Sequence, residues 1–363
     1  MRAIIGTENG PIKIIDIEYA KVLSMLRVGP WDVDKNGTMT TEALAWVVPD
    51  QTFVAAINGG VYVCNIEAED PVLTKVSTYS TGAGEECVYI GLYPGSQTDV
   101  ITCTNLGDVV LHQGVCAAGM AVKIEPSAAK VICKADAPAQ AVCVGVRRAP
   151  HKKPTKEEGD SEDKKKDATE GDKKKKKTKG EETTTATTET ATEEASEKEE
   201  EKEEPIIAVG GKNKNVVVYS LVSGEKVGAV KKQKDDPRTR LPEPVWPTCV
   251  AFSQLRPNVL VVGTGYNRVR TYDMAAKQRT AITDTLVTQR PLNCVTLLER
   301  RKNPYGREFL AFGSTYGEHM YFNPFGKKKV LGGFRGITGS VRAICYNREV
   351  LVVTGIDRFL RIF

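Results

Sequence analysis

The chain lacks the long apolar runs of a membrane protein and the cysteine pattern of a disulfide-rich or zinc-binding one. No stretch of its 363 residues approaches the roughly 18 consecutive apolar residues that a membrane span needs. The first residues enter an alternating apolar pattern at once, which indicates no secretory signal. The 9 cysteines are scattered, odd in number and never spaced as Cys-x-x-Cys. This usage predicts buried free thiols in a reducing compartment.

Signals for catalysis and for metal binding are also scarce. The 3 histidines stand far apart, none beside a nucleophile motif and none in an H-E-x-x-H pattern. Gly263–Arg268 is not a dinucleotide-binding loop, and no phosphate-binding G-x-x-x-x-G-K-[ST] motif occurs. Asp32–Gly37 matches the opening of a calcium loop, but Ala43 stands where that loop requires a bidentate Glu. We therefore expect no enzyme, no cofactor and no metal site, and an Asp/Asn turn at Asp32–Gly37.

Charge is distributed very unevenly along the chain. The formal net charge is +5, but residues 147–204 contain no Val, Ile, Leu, Met, Phe, Tyr, Trp or Cys. Arg147–Gly180 carries a net +6, Glu181–Glu204 a net −9, and the remainder of the chain +8. A segment without large apolar side chains cannot bury enough surface to offset its ordering entropy, so 147–204 is predicted to be disordered. Its lysine run, Lys173–Lys177, is compatible with a nuclear import signal, with an RNA contact, or with a merely solubilising loop.

The dominant pattern is a repeat of strand, tight turn and strand. Seven such hairpins recur at intervals of 41 to 53 residues once the charged segment is left out. They are Ala3–Ile17, Phe53–Ile66, Asp99–His112, Ile206–Tyr219, Val259–Tyr272, Phe309–Phe322 and Val350–Phe363. Further strand candidates precede or follow the hairpins, and no stretch has helical periodicity. Four short strands per repeat predict an all-β, seven-bladed WD-repeat propeller, in which blades packed around an axis cover each other's faces.

Two irregularities shape the predicted domain organisation. Residues 1–146 should form blades one to three and the start of blade four, 147–204 a disordered insert in blade four, and 205–363 the rest of blade four to blade seven. The pattern also begins with the second strand of blade one and ends with the third strand of blade seven. We expect either imperfect closure of the ring or closing strands, about 20 C-terminal residues, beyond this sequence.

Three stretches in the last third of the chain go beyond a generic propeller. They are Pro244–Phe252 followed by Val261–Asp273, then Gly333–Arg342, and then Gly355–Ile362. In this order they closely resemble the WD-repeat ribosome-biogenesis family of Nop seven-associated protein one, called WD repeat-containing protein seventy-four in animals. Weaker matches are Gly6–Gly10 and Gly210–Asn215.

The resemblance implies a non-catalytic scaffold that acts in the nucleolus as an assembly factor of the large (60S) ribosomal subunit precursor. Its implied partners are the pre-60S particle, ribosomal RNA, other assembly factors and a AAA-type ATPase for release, with no membrane and no small-molecule substrate. Members of the family usually continue past the final motif with more strand and a basic tail, which this sequence does not. Two alternatives stay open at this point: a generic WD-type scaffold of another complex, and a propeller enzyme with acidic or histidine side chains in its central funnel.

Basic residues in and beside these motifs are the candidate contacts to RNA or to a partner. Because a ring brings equivalent loops onto one face, they are predicted to form a positive patch that neutralises phosphates. The alternative is a solvated surface whose arginine stems pack on neighbouring strands. The candidates are Arg268, Arg270, Arg300, Arg301, Lys327, Lys328, Lys329, Arg335, Arg342, Arg358 and Arg361.

A second group of motif residues is predicted to be structural. It consists of Gly265, Tyr272, Asp273, Gly339, Ser340 and Asp357. In WD repeats an Asp at the position of Asp357 fixes the turn and joins it to a His in the preceding loop, but Gly336–Ser340 contains no His, which predicts a partial network. Trp246, flanked by prolines, suits packing between blades better than it suits an exposed contact for a partner peptide.

Overall fold

The structure is a computed structural model. It describes residues 1–7, 11–28, 40–49, 51–80, 82, 84–115, 129–136, 138–148, 203–233, 244–256, 258–298, 308–327, 329–334, 336–347, 350–357 and 359–363. Residues 1–148 and 203–363 form one compact unit. The charged segment between them and the calcium-like Asp32–Gly37 lie outside the described residues.

The described strands form seven antiparallel sheets, which are the seven blades of a β-propeller, as the repeat predicts. Blade one contains β1 (Arg2–Ile5), β2 (Ile12–Asp16) and β3 (Lys21–Leu26), and blade two β4 (Thr41–Val48), β5 (Thr52–Ile57), β6 (Gly60–Asn65) and β7 (Thr74–Thr78). Blade three contains β8 (Cys87–Leu92), β9 (Val100–Thr104), β10 (Asp108–His112) and β11 (Ala129–Lys134), and blade four β12 (Ala141–Arg148), β13 (Glu203–Gly211), β14 (Lys214–Ser220) and β15 (Lys226–Ala229). Blade five contains β16 (Pro247–Phe252), β17 (Val259–Thr264), β18 (Arg268–Asp273) and β19 (Ala281–Leu286). Blade six contains β20 (Leu292–Leu298), β21 (Phe309–Ser314), β22 (His319–Phe322) and β23 (Val330–Phe334), and blade seven β24 (Val341–Asn347), β25 (Val350–Gly355) and β26 (Leu360–Ile362).

The first strand of each complete blade lies innermost. The first strands of successive blades contact each other from β4 through β8, β12, β16 and β20 to β24. Blades one and seven each have three described strands, in the orders β1-β2-β3 and β24-β25-β26. In the register of the other blades, β1 and β25 correspond to second strands, as the pattern predicted.

Tight turns close the hairpins between second and third strands. In blade two the turn is Asn58-Gly59, with φ values of 45° and 80°. Positive φ at both central residues is the signature of a type I′ turn, whose twist matches that of the two strands it joins. The Asn and Gly residues read from the sequence are therefore the ones this backbone requires.

Apolar side chains from neighbouring sheets fill the seams between blades. Six clusters join blade one to two, two to three, three to four, four to five, five to six and six to seven. Their largest fully buried members include Phe53, Phe312 and Phe322. Second and third strands of blades two to six thus bury both of their faces, one against each neighbouring blade, which explains why many of them are almost continuously apolar, whereas outer strands such as β11 and β19 stay largely exposed.

The charged segment joins two adjacent strands of blade four. β12 and β13 pair directly, with Arg147 opposite Glu204 and Arg148 opposite Glu203. Both pairs form ion pairs, at 3.4 Å and 3.3 Å. The paired strands therefore extend two residues into each side of the predicted insert 147–204. They do so because these opposite charges face each other across the strands.

The eight cysteines in the described residues are free thiols. Burial raises the pKa of Cys64, Cys103 and Cys294 to about 12, and that of Cys133 to about 11. Such thiols are protonated and unreactive at neutral pH. Cys116 lies outside the described residues.

Candidate functional site

Strand direction decides which loops share a face of the propeller. Because strands alternate in direction, turns between second and third strands lie at the same end as loops that lead from one blade into the next. We call this end the turn face. The loops joining first to second strands and third to fourth strands lie at the opposite face.

The predicted basic residues divide between these two faces. Arg268 begins β18, Arg342 is near the start of β24, and Arg361 lies in β26, so all three are at the turn face. Lys327 and Lys329 follow β22 in the loop to the fourth strand, which places them at the opposite face. The prediction of one patch from all candidates is therefore wrong for these two lysines. Arg300, Arg301, Lys328, Arg335 and Arg358 lie outside the described residues.

Arg268 and Arg270 share one carboxylate. Arg268 Nη1 lies 3.2 Å from Asp284 Oδ1, and Arg270 Nε lies 3.4 Å from Asp284 Oδ2. Asp284 stands on β19, directly opposite Arg270 in the ladder. Arg270 is buried, and its guanidinium neutralises Asp284 inside the blade. Its assignment to the predicted phosphate-binding residues is therefore wrong. Arg268 remains part-exposed at the rim.

The turn of blade seven is organised by Asp357. Its Oδ2 accepts a hydrogen bond from the Thr338 backbone N–H at 3.0 Å and pairs with Arg361 Nη1 at 2.6 Å. Its Oδ1 accepts from the Phe359 backbone N–H at 3.4 Å. Desolvation opposes ionisation here, but these donors hold the pKa of Asp357 below its ordinary value. A backbone N–H of the preceding loop thus takes the place that a His occupies in typical WD repeats.

Replacing Asp357 by alanine is expected to destabilise the protein by about 1–2 kcal/mol, because two backbone donors and one guanidinium lose a charged acceptor. The folded-state pKa is depressed, so this stabilisation is complete at neutral pH and is lost as the pH falls below the ordinary value of 3.8. Urea unfolding at pH 7 measures it. Asp273→Ala is the matched control, because Asp273 accepts one described hydrogen bond, from Ala275 in an exposed turn. Equal losses in both variants would contradict the assigned role.

The other predicted structural residues lie where packing is tight. Tyr272 is buried in the cluster between blades four and five, and Ser340 is buried in the loop before β24. Gly339 has a φ of 100°, a conformation that other residues avoid. A Cβ on Gly265 would come within 2.4 Å of the Trp246 ring, so glycine is required there for Trp246 to pack.

Trp246 joins blades four and five at the turn face. Its Nε1–H donates to Gln140 Oε1 at 3.0 Å, and its ring meets Tyr266 edge-to-face at 6.0 Å. Lys212 Nζ lies 5.5 Å from the centre of the Trp246 ring. The side chain is half-buried, so it packs between blades while one part stays at the surface.

Charge is segregated around the turn face. At the turn face of blades two and three, the described charged residues are mostly acidic: Glu42, Glu85, Glu86, Asp108 and Asp136. The basic Lys134 is paired there with Asp108 at 3.5 Å. On blades four to seven they are mostly basic, and the acidic ones are Asp284, Glu318 and Asp357. We call the surface-accessible basic residues of this part the basic arc: Lys212, Lys214, Lys231, Lys232, Arg268, Arg290, Arg342 and Arg361.

Five members of the basic arc were missed in the sequence. Lys231, Lys232 and Arg290 lie outside the recognised motifs, in the loops that follow blades four and five, and Lys212 and Lys214 lie in the weakly matching Gly210–Asn215 at the hairpin turn of blade four. The signal that would have found them is their position in the repeat. Each stands in or beside a turn or connecting loop at the same face as Arg268 and Arg342.

Metal and membrane features are absent from the described part of the chain. No group of three or more His, Cys, Asp or Glu side chains is arranged there to hold a metal ion. In the same residues, no helix has the length and apolar character to span a bilayer.

Comparison with known proteins agrees with the resemblance read from the motifs. No family model matches the chain. Over 159 residues it is 32% identical to WD repeat-containing protein 74 of Bos taurus and 30% identical to that of Homo sapiens, covering 43% of this chain and 39% of each relative. It is 30% identical over 188 residues to ribosome biogenesis protein nsa1 of Schizosaccharomyces pombe, covering 44% of this chain and 46% of that protein. The matches thus span less than half the length of these curated relatives.

Solved structures show the same fold at low sequence identity. Sqt1 of Chaetomium thermophilum, solved with the N-terminus of ribosomal protein L10, matches with a TM-score of 0.58 and 14% identity. The computationally designed Ika8 protein matches with a TM-score of 0.53 and 12% identity. Each match covers 100% of this chain and 80% of the other. With the sequence matches, these findings confirm the predicted resemblance: the chain is a seven-bladed WD-repeat propeller whose curated homologues are WD repeat-containing protein 74 and the ribosome-biogenesis protein nsa1.

Proposed function

We propose that this chain is a non-catalytic scaffold in the assembly of the large (60S) ribosomal subunit precursor, working in the nucleolus. Its partners would be pre-ribosomal RNA and other assembly factors, with release aided by a AAA-type ATPase. The homology to WD repeat-containing protein 74 and to nsa1, whose name states ribosome biogenesis, carries this proposal.

The surface of the propeller supports a scaffold that meets RNA. A run of lysine and arginine side chains on one half of one face neutralises phosphates without reading base sequence. The basic arc supplies such a surface, and the acidic half beside it disfavours RNA, which orients the protein. The His112 side chain is fully buried between two hydroxyl groups, so it is not open to a substrate.

Sedimentation of nuclear extract through a sucrose gradient tests this function. The tagged protein is expected to peak with pre-60S particles and to shift to light fractions after RNase treatment. A WD-repeat protein of an unrelated complex, run in the same gradient, is the control. Recovery only in light fractions without RNase would overturn the proposal.

A further inference from the structure

Three exposed aromatic rings lie at successive turns of the turn face, each in a group with a cation. In blade six, the Arg290 guanidinium lies 4.0 Å from the centre of the Tyr316 ring, which is 61% exposed. In blade seven, the Arg361 guanidinium lies 5.6 Å from the Phe359 ring, which is 67% exposed.

The third ring belongs to the turn of blade five. Tyr266 is 41% exposed and contacts Trp246, which in turn lies beside Lys212. Single exposed apolar side chains are ordinary on a protein surface, whereas exposed apolar groups gathered on one face mark interaction sites. Rings in the corresponding hairpin turns of three consecutive blades, each grouped with a cation, therefore indicate a binding surface.

Backbone hydrogen bonds hold these turns in place. Each turn donates an N–H to a carbonyl at the start of its own blade: Gly265 to Trp246 at 2.9 Å, Thr315 to Pro291 at 2.9 Å, and Ile356 to Ser340 at 3.0 Å. The turns of blades five, six and seven are thereby fixed before any ligand arrives. A surface ordered in advance loses little conformational freedom on binding.

Charge and aromatic rings coincide on the same blades. The basic arc extends over blades four to seven, where the three rings lie, and the acidic residues of the turn face are concentrated on blades two and three. An acidic peptide would use the cations but would leave the rings without a matched partner. A duplex hides its bases inside the helix. A single strand offers both phosphates and the flat faces of unpaired bases.

We propose that the turn face of blades four to seven binds single-stranded RNA. Bases stack on Tyr266, Tyr316 and Phe359, while the basic arc neutralises the phosphates between them. This rests on the proposed function and specifies the form of RNA and the surface that meets it. Because stacking tolerates every base, the surface has weak sequence preference.

Fluorescence anisotropy on the full chain tests the proposal. The probe is a labelled oligouridylate of about 12 nucleotides, a length within the usual range for such sites. The double variant Tyr316→Ala, Phe359→Ala is expected to raise Kd about tenfold or more. Tyr19→Ala is the matched control, because Tyr19 is 75% exposed but lies in a turn of the opposite face, and it should leave Kd unchanged.

A second pair of variants addresses the charges. Arg342→Gln should reduce the slope of log K against log salt by about one, as expected when one phosphate contact is lost. Lys327→Gln, at the opposite face, should leave the slope unchanged. Thermal unfolding of every variant checks that the fold persists. Tyr316→Leu keeps an apolar side chain without a π face, so it should reproduce the loss of RNA affinity if stacking is the cause.

Several results would overturn the proposal. Binding that the double aromatic variant does not weaken would place the RNA contact elsewhere, including on the lysine-rich segment. Tighter binding of a 12-base-pair RNA duplex than of the single strand would contradict the preference for unpaired bases. Competition by polyglutamate as strong as that by RNA would show that the surface selects negative charge alone. Absence of RNA binding by a protein that still sediments with pre-60S particles would remove this inference and leave the proposed function intact.

Discussion

Replacing Phe312 by alanine is expected to lower the free energy of unfolding by about 3–5 kcal/mol. Phe312 is buried in the seam between blades five and six and meets Phe322 edge-to-face, with ring centres 5.9 Å apart. Truncation removes the transferred apolar surface and leaves a cavity that the surrounding strands cannot close, because they are fixed by their ladders. Urea unfolding followed by tryptophan fluorescence measures the loss.

Phe359→Ala is the matched control for Phe312→Ala, because it makes the same chemical change at an exposed ring. We expect a change within about 0.5 kcal/mol there, as for most surface substitutions. Similar losses at both positions would show that the seam between blades five and six does not stabilise the ring as the structure indicates.

Acidification from pH 6.5 to pH 4 is expected to remove about 3 kcal/mol of stability through His112 alone. This side chain is fully buried, with Nδ1 at 2.7 Å from Ser77 Oγ and Nε2 at 2.9 Å from Thr102 Oγ1. Burial lowers the pKa of His112 from 6.5 to about 4. Well above pH 6.5 the ring is neutral in both the folded and the unfolded states, so the contribution is constant. Below it the unfolded chain binds a proton that the folded chain excludes, and stability falls.

The variant His112→Phe isolates this contribution from that of the carboxylates. Phe322 occupies the equivalent ladder position of blade six and is fully buried, so an aromatic ring fits this register. The variant is expected to lose stability at pH 7, since the Ser77 and Thr102 hydroxyls lose a partner, but to show a smaller decline between pH 6.5 and 4. Parallel pH profiles for both proteins would mean that His112 titrates normally.

The hairpins could be predicted closely because their determinants are local. In the second hairpin, Phe53–Ile66, β5 and β6 flank Asn58-Gly59, as the alternating pattern and turn residues indicated. The inner strands were also recognisable, because strand candidates precede the hairpins in the sequence where β20 and β24 lie in the structure. Short-range pattern and turn chemistry decide such elements before any tertiary contact forms.

The candidate site was predicted less well, because it depends on which end of a strand each residue occupies. Arg268 and Lys327 look alike in the sequence, yet they lie at opposite faces, since one begins a third strand and the other follows one. Arg270, two residues from Arg268 and on the same face of β18, is buried against Asp284. Arg290 became a candidate only when the fold placed it over Tyr316.

The number of blades, the position of the charged segment between β12 and β13, and the uneven distribution of charge along the chain could all be read from the sequence. These follow from composition and from contacts between residues close along the chain. The contacts of Ser77 with His112 and of Gln140 with Trp246, and the position of the basic arc on one face, depend instead on how the blades pack around the ring. The physical reason is that such pairs are 35 and 106 residues apart along the chain. Closing the ring brings them together, and no local preference encodes that.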